Sequence, residues 1–191
     1  MNNHTSRRDF LKSAASYSVL ALAGTCPDIA SAAWTSDDEL YVSRDFTSAG
    51  GFTEGVESPA CDIDENLYAV NFNRQGTIGR VTPDGDAEVF VELPAGSVGN
   101  GIRFGSDDTM YIADYTAHNI LAVDIITREV TVFAHEPTMN QPNDIAIASD
   151  DTLFASDPNW RARTGNVWRI GFDGSVTKLD NLDNPTNGIE V

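Results

Sequence analysis

The chain has 191 residues, with 12 Lys and Arg against 29 Asp and Glu and a formal charge of −17. So acidic a surface repels phosphate backbones and anionic headgroups, which excludes nucleic acid and the membrane surface as partners of the mature protein. Its two cysteines, Cys26 and Cys61, fall on opposite sides of an expected cleavage site, so no internal disulfide is expected.

The N-terminus reads Ser6-Arg7-Arg8-Asp9-Phe10-Leu11-Lys12, then a modest apolar stretch from Ala14 to Ala23 and the small-residue run Ala30-Ser31-Ala32. This order resembles a twin-arginine export signal, and the apolar run falls short of the ~20 residues that span a bilayer. Residues 1–32 are therefore expected to be a leader, recognised by the twin-arginine machinery and removed. The mature chain, 33–191, is expected in the periplasm or outside the cell, with no membrane attachment.

Leu40-Tyr-Val42 reads as a first strand. From there the chain repeats itself: Glu65-Asn-Leu-Tyr-Ala-Val-Asn71 returns as Asp108-Thr-Met-Tyr-Ile-Ala-Asp114 and again as Asp151-Thr-Leu-Phe-Ala-Ser-Asp157, with Leu67, Met110 and Leu153 spaced by 43 residues. A period of 40–50 residues built from short β-type runs is that of a β-propeller blade, a four-stranded sheet that buries its faces only by stacking on neighbours. The blades are placed at about 54–97, 98–140 and 141–184, with the next starting at 185–191. Third strands are expected at Thr77 to Val81, Asn119 to Val123 and Asn166 to Ile170, and fourth strands at Ala87 to Val91, Glu129 to Phe133 and Ser175 to Leu179. Turn chemistry such as Pro83-Asp-Gly85 and Asp173-Gly174 separates them. No helical periodicity follows the leader. The fold class is thus all-β, about three blades of an incomplete ring, and the last residues read as the opening of a further strand.

A second element recurs ahead of these strands: Thr53-Glu54-Gly55, Gly99-Asn100-Gly101, Pro142-Asn143-Asp144 and Thr186-Asn187-Gly188. Innermost strands line the channel of a propeller, so positions that recur at their start lie at one height around one axis. Glu54, Asn100, Asn143 and Asn187 are therefore expected to converge. One carboxylate and three amide carbonyls form an oxygen-rich set suited to a hard divalent cation, Ca²⁺ first, and poorly suited to softer metals.

With those motifs the chain resembles the senescence-marker-protein/gluconolactonase (LRE-like) family of six-bladed propellers, over about the first half of a member. In that family a Glu-Gly pair opens the first blade, an Asn-Asp pair the third and an Asn-Gly pair the fourth. The resemblance implies that Glu54, Asn143 and Asn187 are metal ligands and that a fifth-blade aspartate, beyond Val191, completes the set. It implies that Asn100 lines the substrate pocket, and that the cation polarises the carbonyl of a sugar lactone or related ester. Asp144, beside Asn143, is the candidate catalytic group, orienting the attacking water or bracing the amide. Two other functions fit the same residues: a non-catalytic propeller of the NHL type with a metal-free hydrogen-bonded ring, and an exported calcium-binding protein without turnover.

Other residues have plainer readings. Cys61 is expected as a small buried filler, His118 and His135 as surface residues, Asp114 and Asp157 as loop caps, and Asp62-Ile-Asp-Glu-Asn66 as a turn, since it lacks the glycine and closing glutamate of a calcium loop.

Overall fold

The computed structural model describes residues 43–48, 50 and 55–191. The leader, the strand expected at Leu40–Val42 and Glu54 lie outside these residues. The described region is all-β, twelve strands in three four-stranded antiparallel sheets. The first sheet holds β1 (Val56–Cys61), β2 (Leu67–Asn71), β3 (Thr77–Val81) and β4 (Ala87–Glu92). The second holds β5 (Gly99–Phe104), β6 (Met110–Asp114), β7 (Asn119–Val123) and β8 (Val130–His135). The third holds β9 (Ile145–Ile147), β10 (Leu153–Asn159), β11 (Thr164–Ile170) and β12 (Val176–Leu182). Each sheet runs in chain order, as a blade does, and its innermost strand packs beside that of the next, β1 by β5 and β5 by β9. These are three blades of an unclosed β-propeller.

Strand alternation explains the stacking. In β6 every residue is buried, because successive side chains enter two different seams. Met110 and Ile112 join Tyr68, Val70, Ile78, Phe90, Ile102 and Leu121 between the first and second blades. Tyr111 and Ala113 join Ile120, Ile145, Leu153, Ala155, Trp168 and Ile170 between the second and third. Each large side chain so buried contributes about 1.5–3 kcal/mol, which is why the repeated segment is apolar on both faces.

A buried polar residue recurs at the 43-residue step in each second strand, at Asn71, Asp114 and Asp157. Asp114 is fully buried and accepts hydrogen bonds from Ser97 Oγ (2.7 Å), Val98 N (3.2 Å), Ala117 N (3.2 Å) and Asn119 Nδ2 (2.9 Å). Asp157 accepts from Asn140 N and Gln141 N (both 2.7 Å), Asn166 Nδ2 and Trp168 Nε1 (both 2.8 Å). In the first blade the position is Asn71, whose amide donates to Thr77 Oγ1 at 3.0 Å. The two aspartates therefore do more than cap a loop: they fasten the segment that opens the blade to the hairpin behind it.

Two expectations are corrected. Cys61 is exposed rather than a buried filler, because it ends β1 opposite Leu67 with its side chain on the solvent side. Residues 183–191 form no strand, since an innermost strand pairs with the second strand of its own blade and none follows within these residues. They are held by the third blade instead: Asn187 O accepts from Ser156 Oγ, Asp157 N donates to Thr186 Oγ1 (3.0 Å) and Ile189 N donates to Asp144 Oδ2 (3.2 Å).

Candidate functional site

Asn100, Asn143 and Asn187 line one cavity of about 310 Å³, together with Glu57, Val70, Phe72, Gln75, Val98, Gly99, Tyr115 and Trp160. Its floor is built by the openings of successive units. Pairing of Val56 with Asn71 and of Gly99 with Asp114 puts the next residue of each inner strand, Glu57 and Asn100, in the same place. Both strands then bulge, between Glu57 and Ala60 and between Gly99 and Ile102, which ends regular pairing at the cavity edge. Ser58 occupies that bulge with φ 49°, in the left-handed region, and its hydroxyl lies 3.5 Å from Asn100 Oδ1.

Asn143 is buried, and its backbone is fixed from both sides: its N–H donates to Ser156 O (2.8 Å) and its carbonyl accepts from Gly101 N (2.6 Å). Among the described residues, no hydrogen bond occupies the side-chain amide of Asn143 or of Asn187. Asp144 is not among the residues lining the cavity. Its carboxylate is engaged by Arg103 Nη2 (3.2 Å), Ile145 N (2.9 Å) and Ile189 N (3.2 Å), so it ties the second blade, the third and the segment after it into one junction.

The carboxylate at this cavity among the described residues is Glu57. Sequence reasoning passed over it because Glu57-Ser58-Pro59 does not look like the Asn-Gly and Asn-Asp pairs of the other units, whereas Thr53-Glu54-Gly55 does. The signal was present in the spacing: Glu57, Asn100 and Asn143 are 43 residues apart, the step that separates Leu67, Met110 and Leu153, and Glu54 breaks that step by three. Trp160 and Phe72 were also passed over, since neither belongs to a polar motif.

Glu57 and the amide oxygens of Gln75, Asn100, Asn143 and Asn187, with no thiol or imidazole among the described residues of the lining, form a donor set that fits a hard cation. Among the described residues no three of His, Cys, Asp and Glu gather, so amide oxygens would have to supply most of the ligands there. His135 is tied to Asn119, Nδ1 to Oδ1 at 2.7 Å, and His118 lies beside Met139, Asn140 and Arg161 in a separate depression.

Solved structures similar to this chain include a virginiamycin B lyase from Staphylococcus aureus (23% identity, TM-score 0.55, over 65% of this chain). A gluconolactonase from Xanthomonas campestris (18%, TM-score 0.60) matches over 69% of it, and a calcium-binding protein, regucalcin, from Agrobacterium tumefaciens (22%, TM-score 0.55) over 72%. The matched regions amount to 40%, 49% and 45% of those proteins, so the chain spans less than half of each. At such identities the likeness is one of fold, and one fold carrying a lyase, a lactonase and a calcium-binding protein does not choose among functions. No curated protein sequence matches the chain. The family model for the SMP-30/Gluconolactonase/LRE-like region matches residues 35–191, and the chain belongs to that family.

Proposed function

We propose that this protein is a metal-dependent hydrolase of lactones or related esters. The observation that carries the reading is the meeting of Glu57, Asn100, Asn143 and Asn187 in one cavity, although they come from four successive units of sequence. Glu57 Oε and the amide oxygens of Asn143 and Asn187 would hold a Ca²⁺-like ion. Asn100, already touched by Ser58 at its oxygen, would present its amide to the substrate. When bound, the cation supplies Lewis-acid polarisation of the ester carbonyl.

The chain's own groups do the rest. Glu57 would offset part of the charge of a bound divalent ion, and the amide oxygens of Asn143 and Asn187 would hold it without adding charge. Asp144 acts on this reading by bracing: with Arg103 and the Ile189 amide it fixes the backbone on either side of Asn143 and Asn187, so that two oxygens from different units keep their spacing. Family membership favours lactones as the substrate class.

The test is lactone hydrolysis by the purified protein before and after chelation, with Ca²⁺ restored. Activity is expected to vanish with chelator and return with the ion. Turnover indifferent to chelator would overturn the metal reading, and absence of both turnover and Ca²⁺ binding would leave a ligand-binding scaffold. The same proposal includes export: cells expressing the protein with Arg7→Lys and Arg8→Lys together are expected to retain it in the cytoplasm, and unchanged export would remove the twin-arginine route.

A further inference from the structure

We propose that the cavity selects neutral lactones or esters bearing a flat aromatic or apolar group, which stacks on a wall formed by Phe72, Tyr115 and Trp160 above the amide floor. This rests on the hydrolase reading and names its substrate class.

The wall follows from the repeat and from one departure from it. Phe72 and Tyr115 directly follow the buried residues Asn71 and Asp114 and are 43 residues apart, so they hold one position in the first and second blades, and both line the cavity. Phe72 is seated firmly: its N–H donates to Gly55 O at 3.1 Å, and a β-carbon on Gly55 would lie 3.2 Å from Phe72 Cβ. The third blade has Pro158 at that position. There β10 and β11 are seven residues each, against five in the matching strands of the other blades, and the longer hairpin carries Trp160 to the cavity.

These rings are open to solvent at a cost. Phe72 is 54% and Trp160 44% exposed, and large apolar faces clustered at a polar cavity mark a ligand surface. Among the described residues the lining contains no Lys, Arg or His, and Glu57 is its one charged side chain, so these residues offer a substrate carboxylate or phosphate no cationic partner. A polyhydroxylated ring could bond only those of Glu57, Gln75 and the three asparagine amides that the ion leaves free, and would set its other hydroxyls against three aromatic rings, Val70 and Val98. A planar apolar group loses nothing and gains an offset or edge-on ring contact.

Two neutral lactones separate the possibilities: γ-phenyl-γ-butyrolactone and glucono-δ-lactone, assayed with Ca²⁺ present. The phenyl lactone is expected to show the higher kcat/KM. Trp160→Ala should lower the ratio of its kcat/KM to that of gluconolactone by about tenfold, mostly through KM, with Trp160→Phe restoring most of it. A preference for gluconolactone, or an equal fall for both, would overturn the proposal. Calorimetric binding of the phenyl lactone to wild type and to Trp160→Ala keeps the two readings apart. Binding that the substitution abolishes, without turnover of either lactone, supports the aromatic wall and counts against the hydrolase; absence of binding to wild type overturns the wall. Ca²⁺ titration of Trp160→Ala checks that the floor is intact.

Discussion

Gly101 of the second blade lies so near Asp144 of the third that a β-carbon on it would sit 2.6 Å from the Asp144 Cα and 2.8 Å from the Asn143 carbonyl oxygen. Those contacts are backbone, which no rotamer change relieves. Gly101→Ala is therefore expected to push the opening of the third blade away from the second. The cost should be about 1–3 kcal/mol in a urea titration. Because Asn143 moves with that backbone, Ca²⁺ affinity by calorimetry should fall in the same variant, and an alanine accepted without loss of either would refute the close approach.

Glu57 and Glu54 make different predictions at the cavity. Glu57→Gln keeps the side-chain size and removes the charge, so Ca²⁺ affinity should drop at least about tenfold, as carboxylate number sets much of the affinity of such sites. Glu54→Gln should change it less if the 43-residue step governs the site. The reverse order of effects, read by calorimetry on both variants, would return the ligand role to Glu54.

Asp157 is a fully buried carboxylate that fastens the opening of the third blade. Asp157→Ala strands the Trp168 indole N–H, the Asn166 amide and two backbone N–H groups, so it should cost about 3 kcal/mol or more, since each buried unpaired donor costs ~1–3 kcal/mol. Asp107→Ala, in an exposed turn, should stay within about 0.5 kcal/mol. Equal midpoints in urea would remove the fastening role.

Tyr68 should set the alkaline limit. Burial, then its hydrogen bond to Asp62 Oδ2 (2.9 Å), pushes its pKa from 10.0 up to about 12. The folded state thus favours the neutral phenol. Its contribution is fully present below pH 10 and is lost as pH rises through 10 toward 12, on the order of 2 kcal/mol. Unfolding followed across that window should show the loss in wild type and a smaller one in Tyr68→Phe, with phenolate absorbance reporting late titration of Tyr68 and of Tyr111, whose burial also raises its pKa, and the substitution removing the first of these.

Much of this was legible in the sequence where residues answer to local physics. The 43-residue period placed β2, β6 and β10, and the turn residues placed β3 and β7 at Thr77–Val81 and Asn119–Val123, because alternation and turn chemistry act over a few residues. Register was less legible. Whether Glu54 or Glu57 faces Asn100 depends on the pairing of Val56 with Asn71 and on the bulge after Glu57, which are decided by the neighbouring strand rather than by the look of a tripeptide. The burial of Asp114 and Asp157 was hidden for a similar reason: their hydrogen-bond partners include segments 16 and 17 residues earlier. Trp160 reaches the cavity through two extra residues per strand, a geometric consequence with no motif of its own.

The cavity floor is shared among three blades and the segment behind them, and this gives its occupant a mechanical role. Successive blades in such a stack are joined by nearest-neighbour seams and can come away singly. An ion gripped at once by Glu57, Asn143 and Asn187 would act as a keystone between the first blade, the third and the segment after it, since none of these could leave without breaking the grip. At a hundredfold excess over its Kd it would add about 2.7 kcal/mol to each route of disassembly that breaks the site. Occupancy and cohesion of the stack would then rise and fall together.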